Sequence, residues 1–158
     1  MWLCNSSIGR KVVMSVTGVA LILFLTFHMS MNIAALFSGD AYNMICEFLG
    51  ANWYALVATL GLAALAVIHI LYAFWLTMQN RKARGTERYA VTTRPAGVEW
   101  SSQNMLVLGI IIILGLLLHL FNFWYNMMFA ELTGIAVAHA PADGYAYIVD
   151  TFSCPVYV

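Results

Sequence analysis

Three long apolar runs, each holding one histidine, constrain this chain more than anything else in it. They cover Val12–Phe37, Trp53–Met78 and Met105–Met128, and the histidines are His28, His69 and His119. Each run exceeds the ~20 residues a helix needs to cross a bilayer. Hydrocarbon offers backbone groups no water, and a helix satisfies them within its own segment. The composition agrees: 63% of the 158 residues are hydrophobic and 9% charged, against roughly a quarter charged in soluble domains. A net charge of zero supplies no electrostatic argument for a nucleic-acid partner. The expected fold is all-α: a transmembrane helical bundle in a single membrane domain, 1–158, with three full spans. A shorter apolar stretch begins near Tyr145, and Thr151–Val158 reads as the first turns of a fourth span whose remainder is missing. Val12–Phe37 is far longer than the ~7–15 residue core of a signal peptide, and it contains His28 and Asn32, so it is read as a retained span.

All seven basic residues fall in two places. Arg10 and Lys11 precede the first span; Arg81, Lys82, Arg84, Arg88 and Arg94 fill the connection 79–104. Antiparallel spans put both places on one side of the membrane. The opposite loops carry Asp40, Glu47, Glu131, Asp143 and Asp150 and no Lys or Arg. By the positive-inside rule the N-terminus and 79–104 are cytoplasmic. Trp53, Trp75 and Trp124 lie near the run ends, as an aromatic belt places them. Cys4, Cys46 and Cys154 have no metal-ligand spacing. Cys46 and Cys154 fall on the same side, where a disulfide is open and free thiols are the default reading.

A helical rise of ~1.5 Å per residue gives the depth of each histidine. His28 lies roughly 24 Å and His119 roughly 21 Å from the cytoplasmic face, toward the outer side. His69, on the descending span, lies roughly 24 Å from the outer face and so near the cytoplasm. Two imidazoles at one level inside an apolar bundle suit the axial positions of haem iron, and cofactor sites in bundles are built from facing helices. Gly115, one turn before His119, leaves room for a flat ring; Asn32 and Asn122 are polar neighbours one turn after His28 and His119. An ionisable residue inside a span is a functional candidate, although any single one can instead serve as a hydrogen-bonding contact between helices. Two imidazoles are too few for a closed zinc site. The competing reading is a histidine-based proton or metal transport protein without haem. Ser15, Thr17, Gly18 and Gly61 suit close helix contact. His139, beside Pro141 and Asp143-Gly144, reads as a solvated loop residue. The outer loop Ser38–Asn52 carries Glu47 between apolar neighbours, either a solvated acid or a group that exchanges protons near neutral pH.

With these features the chain resembles the membrane cytochrome b subunit of succinate dehydrogenases and fumarate reductases, in its di-haem, single-subunit form. The resemblance is carried by one histidine in each of three successive spans at alternating depth. Lys11-Val12-Val13-Met14-Ser15-Val16-Thr17-Gly18 and Leu25-Thr26-Phe27-His28-Met29-Ser30-Met31-Asn32 are similar to that family's first helix, and Arg81-Lys82-Ala83-Arg84 to the close of its second. The resemblance implies five helices and two haem b groups. His28 and His119 would ligate the distal one. His69 would ligate the proximal one, with a partner that lies beyond Val158. It also implies electron transport between an iron–sulfur subunit and a quinone, menaquinone being usual, with Glu47 as the acid at the quinone site. A flavoprotein (FAD) subunit would carry the dicarboxylate chemistry, and both soluble subunits would dock on the cytoplasmic side of a bacterial inner membrane. The chain departs from the family in having neither the body of the fourth helix nor a fifth.

Overall fold

The computed structural model describes residues 6–50, 52–85 and 97–157, and all the regular structure among them is helical. Three helices are long and apolar enough to cross a membrane: Ser7–Leu36, Trp53–Arg84 and Met105–Thr133. Helix α1 spans Ser7–Asn32 and tightens into a 3₁₀ turn at Ile33–Leu36. Its start is set by Ser6, whose side chain accepts the Gly9 N–H at 2.9 Å, satisfying one of the free donors at a helix N-terminus. Arg10 and Lys11 therefore lie inside the helix, not ahead of it. Hydropathy marks only the apolar part of a helix, whereas capping marks its true end.

The segment expected as an outer loop contains a helix, α2, Gly39–Phe48. Ser38 caps it by accepting from Ala41 N–H at 3.2 Å. Asp40 sits in the first turn, where a negative charge favours the helix dipole. Helix α3 runs Trp53–Arg84. Its 32 residues reach roughly 48 Å, well past a hydrocarbon layer of ~30 Å, and the excess carries Arg81, Lys82 and Arg84 in the last turn. Of the other basic residues in 79–104, Arg88 and Arg94 lie outside the described residues, as does Cys4. Helix α4, Met105–His119, continues without a break as a π-helix, Leu120–Phe129, and a final α-turn, Ala130–Thr133. Gly134, at φ 70°, closes it in the left-handed conformation that glycine adopts freely.

Helix α5 spans Gly144–Ser153. The chain then breaks: Cys154 is extended (φ −81°, ψ 122°), the conformation imposed on a residue before proline, here Pro155. A turn closed by Tyr157 N–H to the Cys154 carbonyl follows. Thr151–Tyr157 is thus the end of one short helix followed by a turn.

Helices α1 and α3 pack together, and α4 touches them sparingly. The two ends of the bundle differ. At the basic end the Arg10 guanidinium lies 5.7 Å from the centroid of the Trp75 ring and donates to the Gln79 side chain. At the other end α2 and α5 cross over the helices as a cap. Asn43 clamps the start of α5: its Nδ2 donates to Asp143 Oδ1 at 2.7 Å and its Oδ1 accepts the Tyr145 N–H at 2.9 Å. Gly39 and Gly144 permit the approach. A Cβ on Gly39 would meet the Tyr145 ring at 2.8 Å, and one on Gly144 would meet Cys46 Sγ at 2.5 Å. Cys46 and Cys154 are both free thiols.

Candidate functional site

His28 on α1 and His119, the last residue of α4 proper, are brought together near the capped end. Their ring centroids are 5.5 Å apart with planes at 87°, an edge-to-face contact. Each imidazole has a phenyl beside it on its own helix. Phe24, one turn earlier, stacks on His28 at 5.5 Å, and Phe123 lies against His119 at 5.4 Å. Both histidines are half-buried. The π-helix starts at the residue after His119, and such windings recur at functional sites.

The polar neighbours behave differently from one another. Asn32 Nδ2 donates to the His28 carbonyl at 2.7 Å, while its Oδ1 accepts the Tyr42 hydroxyl at 2.9 Å. Asn32 therefore ties the end of α1 to the cap. Asn122 Oδ1 accepts from Tyr157 at 3.2 Å. Gly115 has open space where a Cβ would sit. Trp124, which reads in sequence only as a belt residue, has a buried indole N–H with no acceptor among the described residues. An unsatisfied buried donor costs about 1–3 kcal/mol, and an acceptor on a bound group would remove that cost.

His69 sits elsewhere. Its Nδ1 is 2.9 Å from Thr17 Oγ1, and Thr17 lies roughly 16 Å along α1 from His28. No second histidine shares that level among the described residues.

The donor set fits a bis-imidazole iron: two imidazoles from facing helices, flanked by aromatic and apolar side chains. Because the rings touch edge to face, a macrocycle between them requires α1 and α4 to part. No residue of Met105–His119 is buried, so little packing opposes such a movement. Among the described residues no group of three or more His, Cys, Asp and Glu could hold a metal ion, so the four-ligand closed site of structural zinc is not assembled here.

Glu47 lies on α2, exposed, in an open cleft of about 340 Å³ shared with Asp40, Asn43, Met44 and Asp143. Its apolar sequence neighbours do not enclose it. Another carboxylate approaches the end of α2 at Gly50. Glu131, at the far end of the third span, places Oε2 3.1 Å from where a Gly50 Cβ would be. No local signal marks Glu131; only the meeting of two span ends does. Beneath them, burial pushes the Cys46 thiol up and pushes the Tyr42 phenol up, the latter helped by Cys46. His139 is tethered rather than freely solvated: Nε2 pairs with Asp150 at 2.5 Å, and its ring lies edge-on to Tyr147. No known protein family matches the chain, and neither a curated protein nor a solved structure does.

Proposed function

We propose that the chain is the haem b-bearing membrane anchor of a succinate:quinone oxidoreductase, a succinate dehydrogenase or fumarate reductase, and that it passes electrons between an iron–sulfur subunit and membrane quinone. The observation that carries this reading is the meeting of His28 and His119, from two different spans, at one level of an otherwise apolar bundle. The resemblance of the histidine pattern to the cytochrome b subunits supports it.

His28 and His119 would hold one haem iron between them. His69 would supply one ligand to a second. Haem iron, when bound, supplies reversible one-electron transfer, tuned by its ligands and their surroundings. Phe24 and Phe123 keep water from the two imidazoles, and the Trp124 indole offers its unused proton to an acceptor on a bound group. Glu47 exchanges protons with the quinone, menaquinone by the resemblance, from the cleft at the capped end. The basic end faces the cytoplasm of a bacterial cell. There it receives the iron–sulfur and FAD-bearing subunits, the latter holding the dicarboxylate active site.

The test is a dithionite-reduced minus oxidised visible spectrum of the purified chain, with haem counted per polypeptide. A b-type spectrum near one haem per chain is expected. Folded protein without haem, from cells grown with ample haem, overturns the reading and favours the haem-free transport protein.

A further inference from the structure

Thr17 is one of the few buried residues in the spans, 6% exposed, and it points its hydroxyl at three atoms. Oγ1 lies 2.7 Å from the Val13 carbonyl, 3.3 Å from the Met14 carbonyl and 2.9 Å from His69 Nδ1. A hydroxyl has one proton, and a carbonyl oxygen can only accept. The 2.7 Å contact to Val13 is the ordinary length of an O–H···O bond, and without a proton between them two oxygens at that distance repel. The Thr17 proton therefore belongs to the backbone, and toward His69 the hydroxyl can only accept. His69 Nδ1 must then be the donor. A neutral imidazole has a single N–H, so the lone pair is on Nε2.

The arrangement is held firmly. Threonine is stiff about χ1 because it is β-branched. The His69 ring lies against α1 beside the next residue, Gly18, where a Cβ would be in van der Waals contact with its Cε1 at 3.4 Å. Metal-ligating histidines characteristically donate their second ring N–H to a fixed acceptor, which sets tautomer and orientation and raises ligand basicity.

We propose that Thr17 is a positioning residue for His69: it accepts the Nδ1–H, holds the ring in one tautomer and one orientation, and makes Nε2 the nitrogen that offers a lone pair to a metal centre such as haem iron. The role of that lone pair rests on the function proposed above; the tautomer does not.

The experiment is ¹⁵N NMR of the His69 imidazole in the full chain, haem-free and in detergent, for wild type, Thr17→Val and Thr17→Ser. Wild type should show a protonated Nδ1 and a bare Nε2. Thr17→Val removes the acceptor, and the ratio of Nδ1–H to Nε2–H forms should fall roughly five- to tenfold, the equivalent of one net hydrogen bond. Thr17→Ser keeps a hydroxyl and should restore the wild-type ratio. The His28 signals should stay unchanged in both variants, which separates the effect from general misfolding. A wild-type His69 protonated on Nε2, or a Thr17→Val ratio equal to wild type, overturns the assignment. Absence of haem from folded protein with the tautomer pattern intact removes the proposed function and leaves Thr17 as the residue that sets the tautomer. Haem present with an unmoved Thr17→Val ratio removes the role of Thr17 alone.

Discussion

The two ends of the bundle are held by different kinds of contact. At the capped end α2 and α5 cover the helices, and all four buried hydrophobic residues among those described are found there: Tyr42, Ala55, Ala130 and Tyr147. Toward the basic end α1 and α3 pack with no buried hydrophobic residue among those described and are joined by polar contacts, Thr17 with His69 and Arg10 with Gln79 and Trp75, and Met105–His119 has no buried residue. Lipid-facing helices gain little from hydrophobic contact with one another, because lipid tails are as apolar as leucine; packing and interhelical hydrogen bonds must hold them. The capped end escapes that limit. It reaches beyond the apolar spans, where burying Tyr42 and Tyr147 removes apolar surface from water. The His28–His119 pair lies near the capped end, against an α4 segment with no buried residue.

The largest expected effect tests whether the two histidine levels are independent. His28→Ala and His119→Ala should each abolish the same haem, and the double variant should lose no more than either alone. Residues acting as one unit are not additive. His69→Ala should leave that haem in place. Haem per polypeptide decides it, and loss of the capped-end haem in His69→Ala would collapse the distinction between the levels.

Next comes one substitution made in different places. Gly144→Ala forces a Cβ against Cys46 Sγ at 2.5 Å, with Met127 and Tyr42 at 3.0 Å, and overpacking of this kind costs about 1–3 kcal/mol. Gly61 and Gly109 have nothing within 4 Å, so alanine there should be neutral or stabilise by up to about 1 kcal/mol through helix propensity. Thermal unfolding in detergent measures all three. Equal effects at the three positions would mean that the cap is no more tightly packed than the spans.

A smaller effect follows from pH. Cys46 and Tyr42 hold their protons more tightly in the fold than at their usual values of 9.0 and 10.0, mainly because they are buried. The unfolded chain releases these protons first as pH rises. The stability they contribute is therefore complete below pH 9 and drains away above it, by up to about 1.4 kcal/mol per pH unit for each group. A pH series of melting temperatures should bend downward in that range, and Tyr42→Phe should shallow the bend. A flat alkaline profile would show that the cap opens before either group titrates.

Much of this was readable from the residues. The three spans follow from run length, and rise per residue puts His28 and His119 at one level and His69 at another; that the two rings touch is seen only in the fold. The cap was not readable. Gly39, Asp40, Asn43 and Gly50 suggest a loop, yet Ser38 caps a helix there, and what stabilises that helix is contact with α5 more than a hundred residues later. The role of Thr17 was hidden for a similar reason. A small residue in a span reads as room for a neighbour, and only the partner helix shows what its hydroxyl does. The π-winding after His119 leaves no trace in the residue types of Leu120–Phe129. Glu47 was legible as an acid near the second span, but its neighbours in sequence said nothing about its exposure in the folded cap.

The smallest expected effect separates burial from charge within the cap. His139 and Asp150 form an ion pair on the cap, with side chains 32% and 64% exposed. Pairs so exposed contribute about 0.2–1 kcal/mol and weaken with salt. Tyr147, 5% exposed, holds the same loop from beneath, donating to the His139 carbonyl at 2.7 Å and accepting its N–H at 3.3 Å. If buried hydrogen bonds are what fix the cap, Tyr147→Phe, which leaves the His139 carbonyl and N–H without the hydroxyl, should cost about 1 kcal/mol or more, and the loss should persist in high salt. Asp150→Asn should cost less, and salt should erase the difference from wild type. Melting curves of both variants at low and high ionic strength give the comparison directly. A larger loss in Asp150→Asn would mean that the cap is held by its surface charge, and the contrast between the two ends would then be one of electrostatics, not of buried surface.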